Sequence, residues 1–155
     1  MTYYPRKPVT SFQDLEVYQR LLAIAVVIIK HVPMDTNIAL VDDLHEQVLI
    51  LPVSIGEAHS LRFGDTPRAL KILEEIMVGC NKTIAYLELY RDLYSAVPDV
   101  DPSVVEGRLN DTAEFYDEQI KNIVATRFKV LHLQRSWVKF TPSGIKTDTQ
   151  FVKTK

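Results

Sequence analysis

Val41-Asp42-Asp43-Leu44-His45-Glu46-Gln47-Val48-Leu49-Ile50-Leu51-Pro52-Val53-Ser54-Ile55-Gly56-Glu57-Ala58 is the stretch that decides the fold. Its apolar residues Val41, Leu44, Val48, Leu51, Ile55 and Ala58 recur at alternating steps of three and four, the spacing of one continuous strip along a helix. Such regularity over 18 residues is hard to obtain by chance. Pro52 interrupts the pattern without ending it, so a kinked helix is expected, starting near Thr36 or Asn37.

The same spacing recurs on both sides. Upstream, Ser11 with Asp14 forms a capping box, which predicts a helix from Phe12. Phe12, Leu15, Leu22, Val26 and Ile29 are expected to form its bundle seam, with Gln19 as the polar exception. Leu21, Ile24 and Ile28 make a second apolar stripe, expected to be an interface between copies of the chain. His31-Val32-Pro33 ends this helix.

Downstream, Asp65 or Thr66 caps a third helix with Pro67 in its first turn. Leu70, Leu73, Met77, Cys80, Ile84, Leu87 and Tyr94 give it a heptad stripe interrupted by Arg91. Asp101-Pro102 repeats the cap-then-proline start. A fourth helix then carries Leu109, Ala113, Tyr116, Ile120, Ile123 and Val130 or Leu131, with its end expected between Phe128 and Arg135. Short connections force neighbouring helices to alternate in direction. The expected fold is therefore all-α, an antiparallel up-down four-helix bundle over residues 11–136. A 1–10 extension precedes it, and a basic tail over 137–155, disordered or folded as a small hairpin, follows.

Length and composition suit one globular domain: 155 residues, 46% hydrophobic and 25% charged. The longest apolar run, nine residues over 21–29, is less than half of the roughly 20 needed to cross a bilayer. No membrane association is expected. A single cysteine and the lack of a secretory-type start point to the cytoplasm. Net charge is −2 but unevenly placed. Residues 1–126 hold 11 Lys/Arg against 19 Asp/Glu, net −8, whereas residues 127–155 hold 7 against 1, net +6.

Catalytic patterns are sparse. Asp42-x-x-His45 is the only approach to a di-iron Glu-x-x-His motif, and no second pair supports it. His45 and His59 stand about 21 Å apart along one helix, too far to share a metal. All four histidines are expected at the surface or rim. Cys80 falls on a core stripe, where thiols are usually inert. No glycine-rich phosphate loop or nucleophile elbow is present, and no enzyme activity, cofactor or metal is expected. One constellation suits nucleic acid: Arg127, Lys129, Arg135, Trp137, Lys139 and Lys146, interleaved with Phe128 and Phe140. The cations would meet phosphates and the aromatics would stack on unpaired bases. The same residues also suit a basic helix end favoured by the helix dipole, followed by a solubilising tail.

Residues Ser11-Phe12-Gln13-Asp14-Leu15-Glu16-Val17-Tyr18-Gln19 resemble the F-x-D-L-x-V-[WY]-Q opening of the bacterial four-helix-bundle family known as the 23S rRNA intervening-sequence proteins. Leu51 to Ala58 is similar to that family's I-P-x-N-I-A-E-G segment, keeping Pro52, Ile55 and Glu57 and departing at Ser54, Gly56 and Ala58. Gly79 resembles the small residue of the family's third helix. The resemblance covers residues 11–135 and implies a ring-like homopentamer. It also implies kinship with the accessory proteins of diversity-generating retroelements, which work beside a reverse transcriptase and bind RNA or DNA through basic surfaces. A non-enzymatic accessory role follows as the leading expectation. The alternative is a protein-only scaffold whose acidic faces dock a basic partner.

Overall fold

Thr10, Ser11 and Asp14 begin the fold by closing a turn on themselves. The computed structural model describes residues 9–32, 39–94 and 113–141. Ser11 Oγ accepts from the Gln13 amide at 3.3 Å, and Asp14 Oδ2 accepts from the amides of Thr10 and Ser11, each at 3.1 Å. This is the expected capping box, but it closes only a 3-10 turn, Phe12–Asp14. Leu15 then adopts an extended backbone, and helix α1 runs Glu16–His31.

That break has a large effect on the first helix. A seam counted from Phe12 and Leu15 loses its phase at Leu15, because the extended residue rotates everything after it. Leu21, Ile24 and Ile28, expected at a subunit interface, therefore point into the chain's own core together with Val17 and Ala25. Leu22 and Val26, expected in the seam, are about two-fifths exposed instead, as is Val27.

Helix α2, Ala39–Leu61, continues through Pro52. Its strip of Val41, Leu44, Val48, Leu51, Ile55 and Ala58 is buried at every position. Helix α3, Thr66–Tyr94, starts as the sequence indicates. Asp65 Oδ1 accepts from the Arg68 amide at 3.2 Å while Pro67 occupies the first turn, where a missing N–H costs nothing. Leu70, Leu73, Cys80 and Leu87 are buried, and Met77 and Ile84 pack against them. Helix α4 is described over Ala113–Lys139, so it passes the expected end by at least four residues. Trp137 explains why: it is 3% exposed and extends the apolar strip of Tyr116, Ile123 and Val130 by one more heptad. The residues around the Asp101-Pro102 start, residues 1–8 of the 1–10 extension and the tail beyond Thr141 lie outside the described residues.

Among the described residues there are four helices and no strand, an all-helical bundle with one core. Each helix packs on two others: α1 on α2 and α4, and α3 on α2 and α4. Among the described residues the diagonal pairs, α1 with α3 and α2 with α4, have no Cα atoms within 8 Å. Phe12 seats over Gly56 of α2, where an added Cβ would meet its ring at 3.6 Å. Cross-links tie the helices at the surface: Arg68 to Glu57 at 3.2 Å, Arg91 to Asp117 at 2.6 Å and Lys129 to Glu16 at 3.1 Å. Exposed pairs of this kind contribute roughly 0–1 kcal/mol each, so burial holds the bundle together. No described helix is long and apolar enough to cross a membrane.

Candidate nucleic-acid interface on helix α4

From Gln119 to Lys139, α4 carries Lys121, Arg127, Lys129, Arg135 and Lys139 and no carboxylate. The helix sorts these cations by its geometry, since the apolar strip from Tyr116 to Trp137 faces the core and the opposite side faces solvent. Lys121, Phe128 and Arg135 are seven residues apart and share that outer side, spanning about 21 Å at 1.5 Å per residue. Lys139, one turn beyond Arg135, continues the row. All four are exposed, Phe128 by half of its surface. Among the described residues, no ion-pair partner stands within 4 Å of Lys121, Arg135 or Lys139.

Arg127 and Lys129 occupy the two flanks of this row. Arg127 donates to Asn81 Oδ1 of α3 at 2.9 Å, and its guanidinium lies 5.1 Å from the Phe128 ring centre. Lys129 is paired with Glu16 of α1. The Lys129 hydrogen bond, with a second from Arg20, holds the Glu16 carboxyl below the usual carboxylate range. These two cations are thus tied to neighbouring helices, while the outer three are open to a ligand.

Trp137 does not belong to the site. Its ring lies 6.4 Å from that of His59 and 5.1 Å from the Arg62 guanidinium, sealing the end of the bundle rather than offering a face for a base. The aromatics that a ligand would meet are Phe128 and Phe140, the latter 70% exposed with Lys139 Nζ 5.8 Å from its ring centre. Lys146 lies outside the described residues. Sequence reasoning missed Lys121, although its heptad relation to Phe128 and Arg135 was the signal that would have found it.

The remaining reactive groups serve the core. Cys80 is fully buried, and burial pushes its thiol up to about 12, so a thiolate is scarce near neutral pH. His45 is buried, not at the rim: Nε2 donates to the Val32 carbonyl at 2.6 Å, where α1 ends. The ring of His31 stacks on Phe115 with centres 3.5 Å apart. Burial, and secondarily the charge of Arg62, pushes the His59 imidazole below its ordinary value. Among the described residues, no three His, Cys, Asp or Glu side chains gather where they would hold a metal ion. Comparison with known proteins returned no matching protein-family model, no matching curated protein and no matching solved structure.

Proposed function

We propose that this chain is a non-enzymatic accessory protein that assembles with copies of itself and binds nucleic acid through the outer face of α4. The observation that carries the reading is the row of Lys121, Phe128, Arg135 and Lys139, without a carboxylate anywhere from Gln119 onward in the helix. Phosphates would be met by the three cations and an unpaired base by the Phe128 ring. An up-down antiparallel bundle underlies the proposal. It is supported by the order of the cross-links, in which Asn81 meets Arg127, Arg91 meets Asp117 and the Leu70 carbonyl meets Gln134.

The motif resemblance supports the finer parts: a ring of five copies in the cytoplasm, working beside a reverse transcriptase and its RNA. Leu22, Val26 and Val27 on α1 supply exposed apolar surface for self-association. Light scattering is expected to give several protomers per particle at micromolar concentration, and a monomer would reject assembly. For nucleic acid, the test is a titration of single-stranded RNA at two salt concentrations. Three phosphate contacts to a single strand would weaken binding about 20-fold between 50 and 200 mM salt. No binding at low salt would remove the reading.

A protein-only scaffold is the second reading, favoured by the carboxylates Asp42, Asp43 and Glu46 on α2, a helix with no Lys or Arg. Nuclease treatment that leaves a purified partner attached, with no RNA retained on the protein, would favour it over the first.

A further inference from the structure

A groove of about 600 Å³ runs along the outer side of α2, with Leu49, Ile50 and Val53 as its floor and Asp42 and Glu46 at its edge. Leu49 and Ile50 are half exposed and Val53 is 70% exposed. Every described lining residue comes from this one helix. An apolar face this exposed, extending over about three turns of helix, suits a chain segment laid along it. Its charges set the sign of that segment: the edge is anionic, and α2 holds no cation to oppose a basic occupant.

We propose that residues 142–155 of the same chain occupy this groove. The segment contains Lys146, Lys153 and Lys155 against Asp148 alone, and its apolar residues are Ile145, Phe151 and Val152. It thus matches the groove in both respects, apolar side chains for the floor and ammonium groups for the carboxylates. Its starting point also fits. Thr141 Oγ1 donates to the Trp137 carbonyl at 2.7 Å, and Trp137 lies against His59 and Arg62 at the end of α2. From Leu61 the groove begins about 12 Å back along the helix at Val53 and ends about 29 Å back at Asp42. Fourteen residues reach about 46 Å when extended, enough to cover it. Tethering beside the groove raises the local concentration toward the millimolar range, which favours this segment over the same segment of another copy. Binding by α4 does not depend on this contact, so failure of either proposal leaves the other standing.

The test uses the full chain carrying Thr154→Cys with a nitroxide spin label, Cys80 being buried and out of reach of the reagent. The methyl signals of Leu49, Ile50 and Val53 are expected to broaden selectively, while those of Val78 and Leu89 on α3 stay sharp. The broadening should persist on dilution. It should be lost with Asp42→Lys plus Glu46→Lys and return when Lys153→Glu and Lys155→Glu are added. Phe151→Ser should also remove it. Uniform or absent broadening would overturn the proposal. So would broadening seen only between labelled and unlabelled copies, which would assign the groove to a second molecule.

Discussion

Helices α2 and α4 stand diagonally across the bundle and differ most on the outside. Inside, both present an unbroken strip of buried residues, Val41 to Ala58 on one and Tyr116 to Trp137 on the other. Outside, α2 carries Asp42, Asp43, Glu46 and Glu57 with no Lys or Arg, whereas α4 from Gln119 to Lys139 carries five cations with no Asp or Glu. The α2 strip is apolar throughout, whereas the α4 strip alternates apolar residues with buried Gln119, Thr126 and Gln134, of which Thr126 and Gln134 donate to the carbonyls of Asn122 and Leu70. Burial of the apolar members stabilises both. The outer faces are opposite in sign because burial does not constrain them. The fold is therefore specified by one side of each helix, which leaves the other side to carry the proposed binding.

The strongest way to break this comparison is to remove matching core residues. Ile55→Ala on α2 should lower stability by about 2–5 kcal/mol, and Trp137→Ala on α4 by about 3–5 kcal/mol, measured by urea denaturation. A Trp137 variant as stable as the parent would show that the bundle ends earlier. Smaller effects come from two helix glycines, Gly56 within α2 and Gly79 of α3 packed against it. A Cβ at Gly79 of α3 would stand 2.6 Å from Leu51 Cδ2, inside the core, and 3.0 Å from Gln47 Nε2. Gly79→Ala should therefore destabilise, since overpacking of about 1–3 kcal/mol outweighs the roughly 1 kcal/mol gained in helix propensity. Gly56→Ala should do the opposite and raise stability by up to about 1 kcal/mol, because its Cβ would rest in ordinary contact with Phe12.

The smallest expected effect joins the two helices at His59, which sits against Trp137. Its pKa is lowered in the folded state from an ordinary 6.5. The unfolded chain then binds the proton more readily. Stability is complete above pH 6.5 and declines as pH falls through the lowered folded value. His59→Gln should flatten that part of a melting-temperature profile between pH 7.5 and 5.5. An unchanged slope would place its cause elsewhere.

The sequence carried the inner strips well where the helix was continuous. All six residues of the α2 strip were readable because nothing between Val41 and Ala58 resets the helical phase, Pro52 included. On α1 the reading inverted at Leu21, Ile24 and Ile28, since a side-chain bond from Asp14 closes a separate turn and Leu15 leaves the helix. A capping box does not reveal how long its helix will be. The proposed site on α4 was legible in its charges and only partly in its geometry. Trp137 looked like a stacking residue because its burial depends on His59 and Arg62, which are distant in sequence. Lys121 was overlooked because it lies before the point at which cations become dense.

Charge reversal on the two outer faces tests the central claim most directly. RNA affinity is compared for Lys121→Glu with Arg135→Glu on α4 and for Asp42→Lys with Glu46→Lys on α2, all in folded protein at low salt. The α4 pair should abolish binding, and the α2 pair should leave it equal or stronger. Binding that survives the α4 reversal, or that falls equally in both, would contradict the assignment of recognition to one face.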